Sequence, residues 1–353
     1  HPAGDSARKA TQCLAFSVDG GRSFEKFSGN PVLRTRDSYD RDPKVFFHKP
    51  TRAWFMVLSL SRNNADRDHA TYGLFRSKDT KSWELLQEIG PGAWYWECPD
   101  MFEMPVDGEP GLTKWLLMKG AGDYIIGSFD GNRFNPENGP VRIQWGGCYY
   151  GAQTFNEAPG GRRIQIAWMN SGSKEDRPNA YPGMPFNQQM SFPRELTLRK
   201  TAEGLHLFRY PVAEIEKLYA KVTSAGGRDL VPGENILPSL PGELLDVELD
   251  VELQQAKQLK LSFRGQEIVH DVEKNKLKVF GTVNPAFAAT DGKLSLRILL
   301  DRTSIEVFAN GGQADASRIF FADPSDRSSF IGVTGGPARI TRLVIRELRS
   351  IWN

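Results

Sequence analysis

The run Leu244–Leu253 (LLDVELDVEL) alternates apolar and polar residues through five pairs. Because successive side chains of a β-strand point to opposite faces of a sheet, this alternation predicts a strand with one buried and one solvent-facing side. The segments Leu294–Leu300, Thr303–Ala309 and Arg339–Leu348 continue the pattern, and Asp301-Arg302 suits a hairpin turn. Long alternating strands joined by short turns favour a β-sandwich for the C-terminal part of the chain.

The N-terminal part has shorter apolar runs, rich in aromatic and β-branched residues and separated by Gly, Pro, Asn and Asp clusters. Its predicted strands are Ala53–Leu60, Thr71–Ser77, Lys114–Lys119, Tyr124–Phe129, Arg163–Met169, Glu195–Arg199 and Leu205–Arg209. Dipeptides such as Asp19-Gly20, Asp107-Gly108 and Asp130-Gly131 mark tight turns between strands. Short strands with aromatic-rich turns suit a β-propeller, although composition by itself leaves that choice open.

A short helical pattern separates the two parts. After Pro211, the apolar residues Val212, Ile215, Leu218 and Tyr219 fall on one helical face. The predicted domains are therefore a propeller over residues 1–208, a linker with a short helix over 209–222 and a β-sandwich over 223–353.

Charge and composition exclude several classes. The 353 residues carry a formal net charge of +2, without a basic stripe, so neither nucleic acid nor an acidic membrane surface is an expected partner. No apolar run approaches the roughly 20 residues that span a bilayer, and the start, HPAGDSARKA, has no signal-peptide core. The three isolated cysteines suit small buried residues, and the five histidines show no metal-binding spacing. No metal or cofactor is predicted.

The first candidate for chemistry is Tyr39–Phe47 (YDRDPKVFF). Pro43 biases Asp42 towards an extended conformation that projects its side chain from the start of a strand. Arg41 beside it suits a charge pair that keeps the carboxylate ionised. Taken alone, the motif is more typical of a salt-bridged surface turn.

The second candidate is Trp94–Phe102 (WYWECPDMF). A carboxyl group among aromatic rings favours its protonated form, as a general acid requires, and Glu97 has such neighbours. The alternative, favoured on spacing alone, is a strand whose aromatic residues are core and whose Glu97 points to water. Asp100, beyond Pro99, suits a cap or turn better than catalysis.

Together the two motifs supply two carboxylates in different surroundings, an arrangement that glycosidic hydrolysis requires. The segment Gln144–Phe155 (QWGGCYYGAQTF) adds aromatic and amide groups suited to a sugar, although a glycine-rich core strand pair explains it equally well. Trp96, Tyr150 and Gln153 are the candidate sugar-binding residues besides Arg41. The glycines of Gly120–Gly127 precede a strand, and so do not form a dinucleotide-binding fingerprint.

The motifs Arg41-Asp42-Pro43-Lys44-Val45 and Trp96-Glu97-Cys98-Pro99-Asp100 resemble the two internal motifs of glycoside hydrolase family 32, the invertase, inulinase and levanase group. The run Gly183–Met190 is most similar to that of bacterial levanase-type members, which remove terminal fructose from fructans. The further segments that resemble the family are Ala15–Phe24, Gly127–Gly131, Tyr150–Phe155, Phe192–Leu196 and Leu299–Phe308.

The resemblance implies an all-β protein, a five-bladed β-propeller followed by a β-sandwich. It implies retaining hydrolysis of levan, inulin or sucrose through a covalent fructosyl-enzyme, without a cofactor. Glu97 would be the acid/base, Asp42 the transition-state stabiliser that binds fructose hydroxyls, and Arg41 the residue that orients sugar and carboxylate.

The sequence also departs from the family pattern. Members carry a Trp-Met-Asn-Asp-Pro-Asn-Gly motif whose Asp is the nucleophile, and no such run occurs here. Trp168–Gly172 has Ser171 where that Asp would be needed, and it follows Glu97 instead of preceding Asp42. We therefore expect a chain without its first blade and part of the second, inactive by itself. Cys148 lies where many members have an Asp.

Two alternatives remain open: a non-catalytic fructan-binding module, and a related propeller glycosidase acting on arabinose or xylose polymers. The sequence does not decide between levan, inulin and sucrose, between exo and endo action, or between oligomeric states. A polymeric substrate implies a secreted or periplasmic protein.

Overall fold

The computed structural model describes residues 10–34, 40–62, 66–170, 188–284 and 289–351. These residues form thirty β-strands and four short 3-10 helices, so the expected all-β class is confirmed. No helix within the described ranges has the length and apolar character to cross a membrane. The chain divides into two compact units, His1–Arg142 with Gly151–Glu157, and Ile143–Tyr150 with Ala158–Asn353.

The first unit is built mainly from two antiparallel meanders of four strands, the repeating element of a propeller. Strands β5 to β8 form one and β9 to β12 the other, while β1 pairs with β4 and β2 with β3. A 3-10 helix, Ala93–Tyr95, joins the meanders. The strands are β1 Thr11–Gln12, β2 Ala15–Phe16, β3 Glu25–Lys26, β4 Leu33–Arg34, β5 Arg41–His48, β6 Ala53–Arg62, β7 Asp66–Ser77, β8 Glu84–Ile89, β9 Asp100–Val106, β10 Glu109–Met118, β11 Tyr124–Phe129 and β12 Phe134–Val141.

An aromatic cluster forms the core of this unit. The rings of Phe55 and Trp115 lie 5.0 Å and 4.9 Å from that of Phe129, both edge to face. Phe46 lies 5.3 Å from Trp115. Since these rings come from both meanders, their burial joins the two sheets.

A turn motif, Ser-x-Asp followed four or five residues later by an aromatic residue, recurs three times in this unit. Its aspartates are Asp19, Asp79 and Asp130, in the β2–β3, β7–β8 and β11–β12 hairpins. Each Oδ1 accepts two backbone N–H groups of its own turn at 2.7–3.0 Å. These hydrogen bonds hold the pKa of each carboxyl below its usual value. Only two of these turns, those at Asp19 and Asp130, are marked in the sequence by an Asp-Gly dipeptide.

The second unit contains short antiparallel strands followed by the two sheets of a sandwich; β14 runs from this unit into the first. Its 3-10 helices are Pro159–Gly161, Ala213–Leu218 and Asn310–Gly312. The strands are β13 Gln144–Trp145, β14 Tyr149–Thr154, β15 Arg163–Met169, β16 Gln189–Met190, β17 Arg194–Thr201, β18 Gly204–Pro211, β19 Tyr219–Ala225, β20 Arg228–Leu230, β21 Leu245–Glu252, β22 Gln258–Phe263, β23 Gln266–Asp271, β24 Lys276–Val279, β25 Thr282–Asn284, β26 Lys293–Leu300, β27 Ser304–Ala309, β28 Ala314–Ile319, β29 Ser329–Thr334 and β30 Ala338–Leu348.

One sandwich sheet has the order β13-β28-β27-β26-β21-β30-β19, with β20 also on β30, and the other has the order β25-β24-β23-β22-β29. A single apolar core contains inward residues of both sheets, among them Val247, Leu261 and Val307. The predicted hairpin at Asp301-Arg302 is confirmed, because Leu300 pairs with Ile305 across it.

The expected wet face of β21 is wrong at one end. Asp246 is fully buried and accepts hydrogen bonds from Arg297 Nε at 3.0 Å and Nη2 at 2.8 Å. Tyr219 Oη donates a third at 2.7 Å. The carboxylate is tolerated there because charged and phenolic donors replace water.

A second buried charge network lies between β17–β18 and β27–β28. Arg194 binds Glu306, Asp315 and Ser317, and Arg209 Nε lies 2.8 Å from the other Asp315 oxygen. Two guanidinium groups face two carboxylates, so the network is electrically balanced. The segment predicted to contain a short helix forms the 3-10 helix Ala213–Leu218, whose Ile215 is buried.

Candidate active site

Three residues in register across neighbouring strands form one end of the first meander. Arg41 of β5 pairs with Ser59 of β6, and Ser59 pairs with Tyr72 of β7. Ser59 and Tyr72 are buried, whereas the Arg41 side chain keeps 30% of its exposure. The row therefore presents a guanidinium, a hydroxyl and a phenol at one sheet end.

All three residues of this row bind Glu97. Arg41 Nη2 donates to Glu97 Oε1, Ser59 Oγ accepts the Glu97 backbone N–H at 3.2 Å, and Tyr72 Oη donates to the Glu97 carbonyl at 3.1 Å. Arg41, which the sequence suggested as the charge partner of Asp42, thus pairs with Glu97. The Glu97 carboxylate remains 24% exposed and is accessible to a ligand.

The backbone at both candidate carboxylates is left-handed. Asp42 has a φ of 60°, Glu97 of 53° and Cys98 of 48°. The expected extended conformation of Asp42 is wrong, because β5 bulges there: Arg41 and Lys44 pair with Ser59 and Val57, positions that differ by two instead of three. Such conformations cost of order 1–3 kcal/mol each and persist where their surroundings hold them.

A direct hydrogen bond joins the two motifs. The Cys98 N–H donates to Asp42 Oδ2 at 3.1 Å, and Cys98 Sγ lies 3.6 Å from the same oxygen. Burial, with the Asp42 charge in second place, raises the pKa of the Cys98 thiol to about 12. The thiol is therefore protonated at neutral pH and can donate to the carboxylate.

The aromatic residues around Glu97 serve two purposes. Trp94 and Tyr95 pack on Tyr72, the latter edge to face at 5.5 Å, and so surround the residue that binds the Glu97 carbonyl. Two guanidinium groups lie within reach of the Trp96 ring, Arg41 at 5.5 Å and Arg67 at 4.9 Å from its centroid. Arg67 was missed in the sequence, where nothing marks its approach from β7.

Gln153 braces the backbone that follows Glu97. Its Nε2 donates to the Cys98 carbonyl at 3.3 Å and the Pro99 carbonyl at 3.1 Å. A direct contact with sugar would therefore use its amide oxygen. Tyr150 is half-buried on β14 and belongs to the second unit.

A buried ion pair lies behind both motifs. Lys44 Nζ is 3.3 Å from Asp100 Oδ1 and also donates to the Thr154 carbonyl, while Asp100 Oδ2 accepts the Thr154 N–H at 2.6 Å. The expected cap or turn role of Asp100 is wrong, since it is a buried residue of β9. The pair ties β5, β9 and β14 together.

Elsewhere, Cys148 is buried and Cys98 half-buried, but Cys13 is exposed, against expectation. Trp168 is described, whereas Ser171 and Gly172, like most of Gly183–Met190, lie outside the described residues. No group of three or more His, Cys, Asp or Glu side chains within the described ranges is placed to hold a metal ion. Two accessible carboxyl groups supply the chemistry of this site. Glu97 pairs with the Arg41 guanidinium, and Asp42 accepts a hydrogen bond from the Cys98 backbone N–H.

Comparison with protein families gives two matches that together span the chain. The model for the N-terminal domain of glycosyl hydrolases family 32 matches residues 2–211, and the model for the C-terminal domain of that family matches residues 214–347.

Among curated proteins, the chain is 30% identical to a levanase of Bacillus subtilis (strain 168), covering 97% of this chain and 55% of that protein. It is 24% identical to an extracellular exo-inulinase of Aspergillus ficuum, over 100% of this chain and 74% of that protein. The chain thus spans about half the length of the levanase.

Among solved structures, the exo-inulinase from Aspergillus awamori superposes with a TM-score of 0.83 at 24% identity, covering 97% of this chain and 75% of that one. This likeness confirms the expected fold, with blades of the five-bladed propeller type followed by a β-sandwich.

Proposed function

The chain belongs to glycosyl hydrolase family 32, and on that premise we propose that it supplies the acid/base and the transition-state stabiliser of a retaining β-fructosidase. Glu97 protonates the leaving-group oxygen and then activates water, as one carboxyl group does in retaining hydrolysis. Asp42 binds fructose hydroxyls, and Arg41 orients Glu97. The mechanism uses side chains alone and requires no cofactor.

The observation that carries the proposal is the Cys98–Asp42 hydrogen bond of 3.1 Å. It brings the Asp42 carboxylate beside the residue that follows Glu97, although 54 residues separate the two carboxylates in sequence. Arg41, next to Asp42, binds Glu97. Two carboxyl groups with different partners on one sheet end support a division between proton transfer and sugar binding.

For the substrate we propose β-fructans, levan or inulin, or sucrose, because the relatives are named levanase and exo-inulinase. Trp96 and Gln153, with Tyr150, are the proposed sugar-binding residues. We also propose export, since the Aspergillus relative is named extracellular. The family-model limits support the proposed domains 1–208 and 223–353 with a linker over 209–222.

The test uses the 353-residue chain with levan, inulin and sucrose. Binding is measured by calorimetry and fructose release by chromatography, for the parent, E97Q, D42N and the control E109Q, which changes an exposed glutamate. We expect binding that D42N weakens and E109Q leaves unchanged. Fructose release should be several orders of magnitude below normal, as for nucleophile deletions, because the chain lacks the nucleophile motif.

Three outcomes separate the possibilities. Failure of the parent to bind any of the three sugars would refute the proposed substrate class. Turnover of about 10 s⁻¹, a typical enzyme rate, would refute the expectation that no nucleophile is present.

The absence of a Trp-Met-Asn-Asp-Pro-Asn-Gly run among the 353 residues favours a second candidate, a fructan-binding module. Sugar binding without any fructose release, and with an affinity that E97Q leaves unchanged, would support that module.

A further inference from the structure

The second sandwich sheet, β25-β24-β23-β22-β29, has an open groove of about 570 Å³ on one face. Its walls are the alternate residues of β22, β23 and β24, which point away from the sandwich core. The groove belongs entirely to the second unit and contains none of the proposed catalytic residues.

The groove is rich in unpaired positive charge. Of its four lysines, Lys274 lies 3.1 Å from Asp271. Lys260, Lys276 and Lys278 form no ion pair with any other residue that the structure describes. Glu267 is the other carboxylate in the lining. Four lysines against two carboxylates leave a local excess of positive charge, whereas the whole chain is close to neutral.

The sheet register spaces these cations regularly. Lys260 and Lys278 both pair with Val269, from opposite sides, so their backbones lie about 10 Å apart, two strand spacings. Lys276 precedes Lys278 by two residues on the same face, about 7 Å along the strand. Such spacings suit a ligand with repeated negative charges better than a single small anion.

An aromatic ring lies beside the lysines. Phe330 is half-buried on β29, and its ring covers Gly332, where an added Cβ would lie 2.7 Å from Phe330 Cζ. Gly332 pairs with Lys260, so the ring lies beside the position of Lys260 on β22. An apolar plate bordered by cations suits the C–H face of a sugar ring that carries carboxylate or sulfate groups.

We propose that this groove binds an acidic polysaccharide, a binding function separate from fructan hydrolysis. The lysines attract its negative groups, and Phe330 stacks on a sugar ring. This contact would hold the protein on an anionic glycan without engaging Asp42 or Glu97.

The test measures binding of the 353-residue chain to polygalacturonate, to neutral dextran and to inorganic polyphosphate. The groove variants are K260E/K278E and F330A, and the matched control is K49E/K78E, which makes the same charge change on exposed turns of the first unit. Circular dichroism and thermal unfolding establish that the variants remain folded.

We expect polygalacturonate to bind the parent and the control equally. K260E/K278E should bind at least about tenfold more weakly, since two attractions become repulsions, and ~1 M NaCl should abolish binding because the Debye length falls to about 3 Å. F330A should weaken binding to polygalacturonate. Equal loss in groove and control variants would refute the site. If polyphosphate binds as tightly as polygalacturonate and F330A does not change its affinity, a polysaccharide ligand is refuted. If neutral dextran binds as tightly as polygalacturonate, the charge argument is refuted.

Discussion

The backbone N–H of Cys98 donates to Asp42 Oδ2 across 3.1 Å, and each of these two residues directly precedes a proline. Proline disfavours helical backbone at the residue before it, yet both residues have a left-handed backbone. The hydrogen bond therefore joins two strained positions. The energy of this hydrogen bond helps to hold Asp42 and Cys98 in their left-handed conformations. These conformations place the Asp42 carboxylate beside the segment that contains Glu97.

The strain requires support from behind. Ser59 and Tyr72 bind the Glu97 backbone, Gln153 binds the next two carbonyls, and the Lys44–Asp100 pair anchors the residues that follow both prolines. These supporting side chains are buried or half-buried, so their removal should alter stability and ligand affinity together.

Replacement of Lys44 with Met should destabilise the first unit by about 3–5 kcal/mol, because it leaves the Asp100 carboxylate buried without its cation. Asp100 is 1% exposed and Lys44 9%, so water cannot replace the pair. Urea unfolding followed by tryptophan fluorescence measures the change. K49M, on an exposed turn, is the control and should stay within about 0.5 kcal/mol of the parent.

The double variant K44M/D100N tests whether the loss is due to the unpaired charge. We expect it to be more stable than K44M alone, since the amide carries no charge and its oxygen can still accept the Thr154 N–H. Additive losses in the two single variants would contradict a direct coupling.

Replacement of Gln153 with Leu should cost about 1–3 kcal/mol, because two part-buried carbonyls lose their donor. The Cys98 and Pro99 carbonyls are the acceptors, so amide hydrogen exchange should accelerate over residues 94–100 in particular. Gln255→Leu is the control, because Gln255 is exposed and its side chain forms no hydrogen bond within the described part of the chain. Unchanged exchange over residues 94–100 would contradict a bracing role.

The sequence predicted the fold well where one periodicity dominates. The alternation of β21 and the hairpin at Asp301 follow from local pattern alone, and both appear as expected. The same pattern failed at Asp246, because its burial depends on Arg297 and Tyr219, which lie on other strands. No local pattern carries that information.

At the site the sequence identified Asp42, Glu97 and Arg41 but paired them differently. Arg41 is adjacent to Asp42 in sequence, whereas the register of β5 and β6 directs its guanidinium to Glu97. The left-handed backbone at Asp42 arises from a β-bulge. Strand pairing determines this bulge, so the usual effect of Pro43 on the residue before it did not predict the conformation. The approach of Arg67 on β7 to the Trp96 ring also depends on strand pairing, so no local sequence pattern marks it.

Iodoacetamide should distinguish the three cysteines at pH 8. Cys13 is exposed and should react first. Burial raises the pKa of the Cys98 and Cys148 thiols to about 12, so roughly one in ten thousand of either is the reactive thiolate at that pH. Mass spectrometry of peptides after timed labelling checks this, with labelling in urea as the control for intrinsic reactivity. Labelling of Cys98 as fast as Cys13 would contradict the buried, Asp42-linked thiol.

The aspartates of the repeated turns should make the first unit sensitive to acid. Backbone hydrogen bonds, first from Lys81, lower the pKa of Asp79 in the folded state below its usual value of 3.8. A carboxyl group with a lowered folded pKa contributes stability that is fully present above the unfolded pKa and is lost as pH falls through the folded pKa. Asp79→Asn keeps an acceptor but removes the charge.

D79N should therefore be less stable than the parent at neutral pH, and the difference should shrink as the pH falls below the usual value of 3.8 and through the lowered folded pKa. Urea midpoints measured across that range give the comparison. D291N, which removes an exposed carboxylate that accepts no hydrogen bond from the described residues, is the control for the charge change. A constant difference between D79N and its parent from neutral pH to about pH 2 would show that the charge of Asp79 does not stabilise the turn.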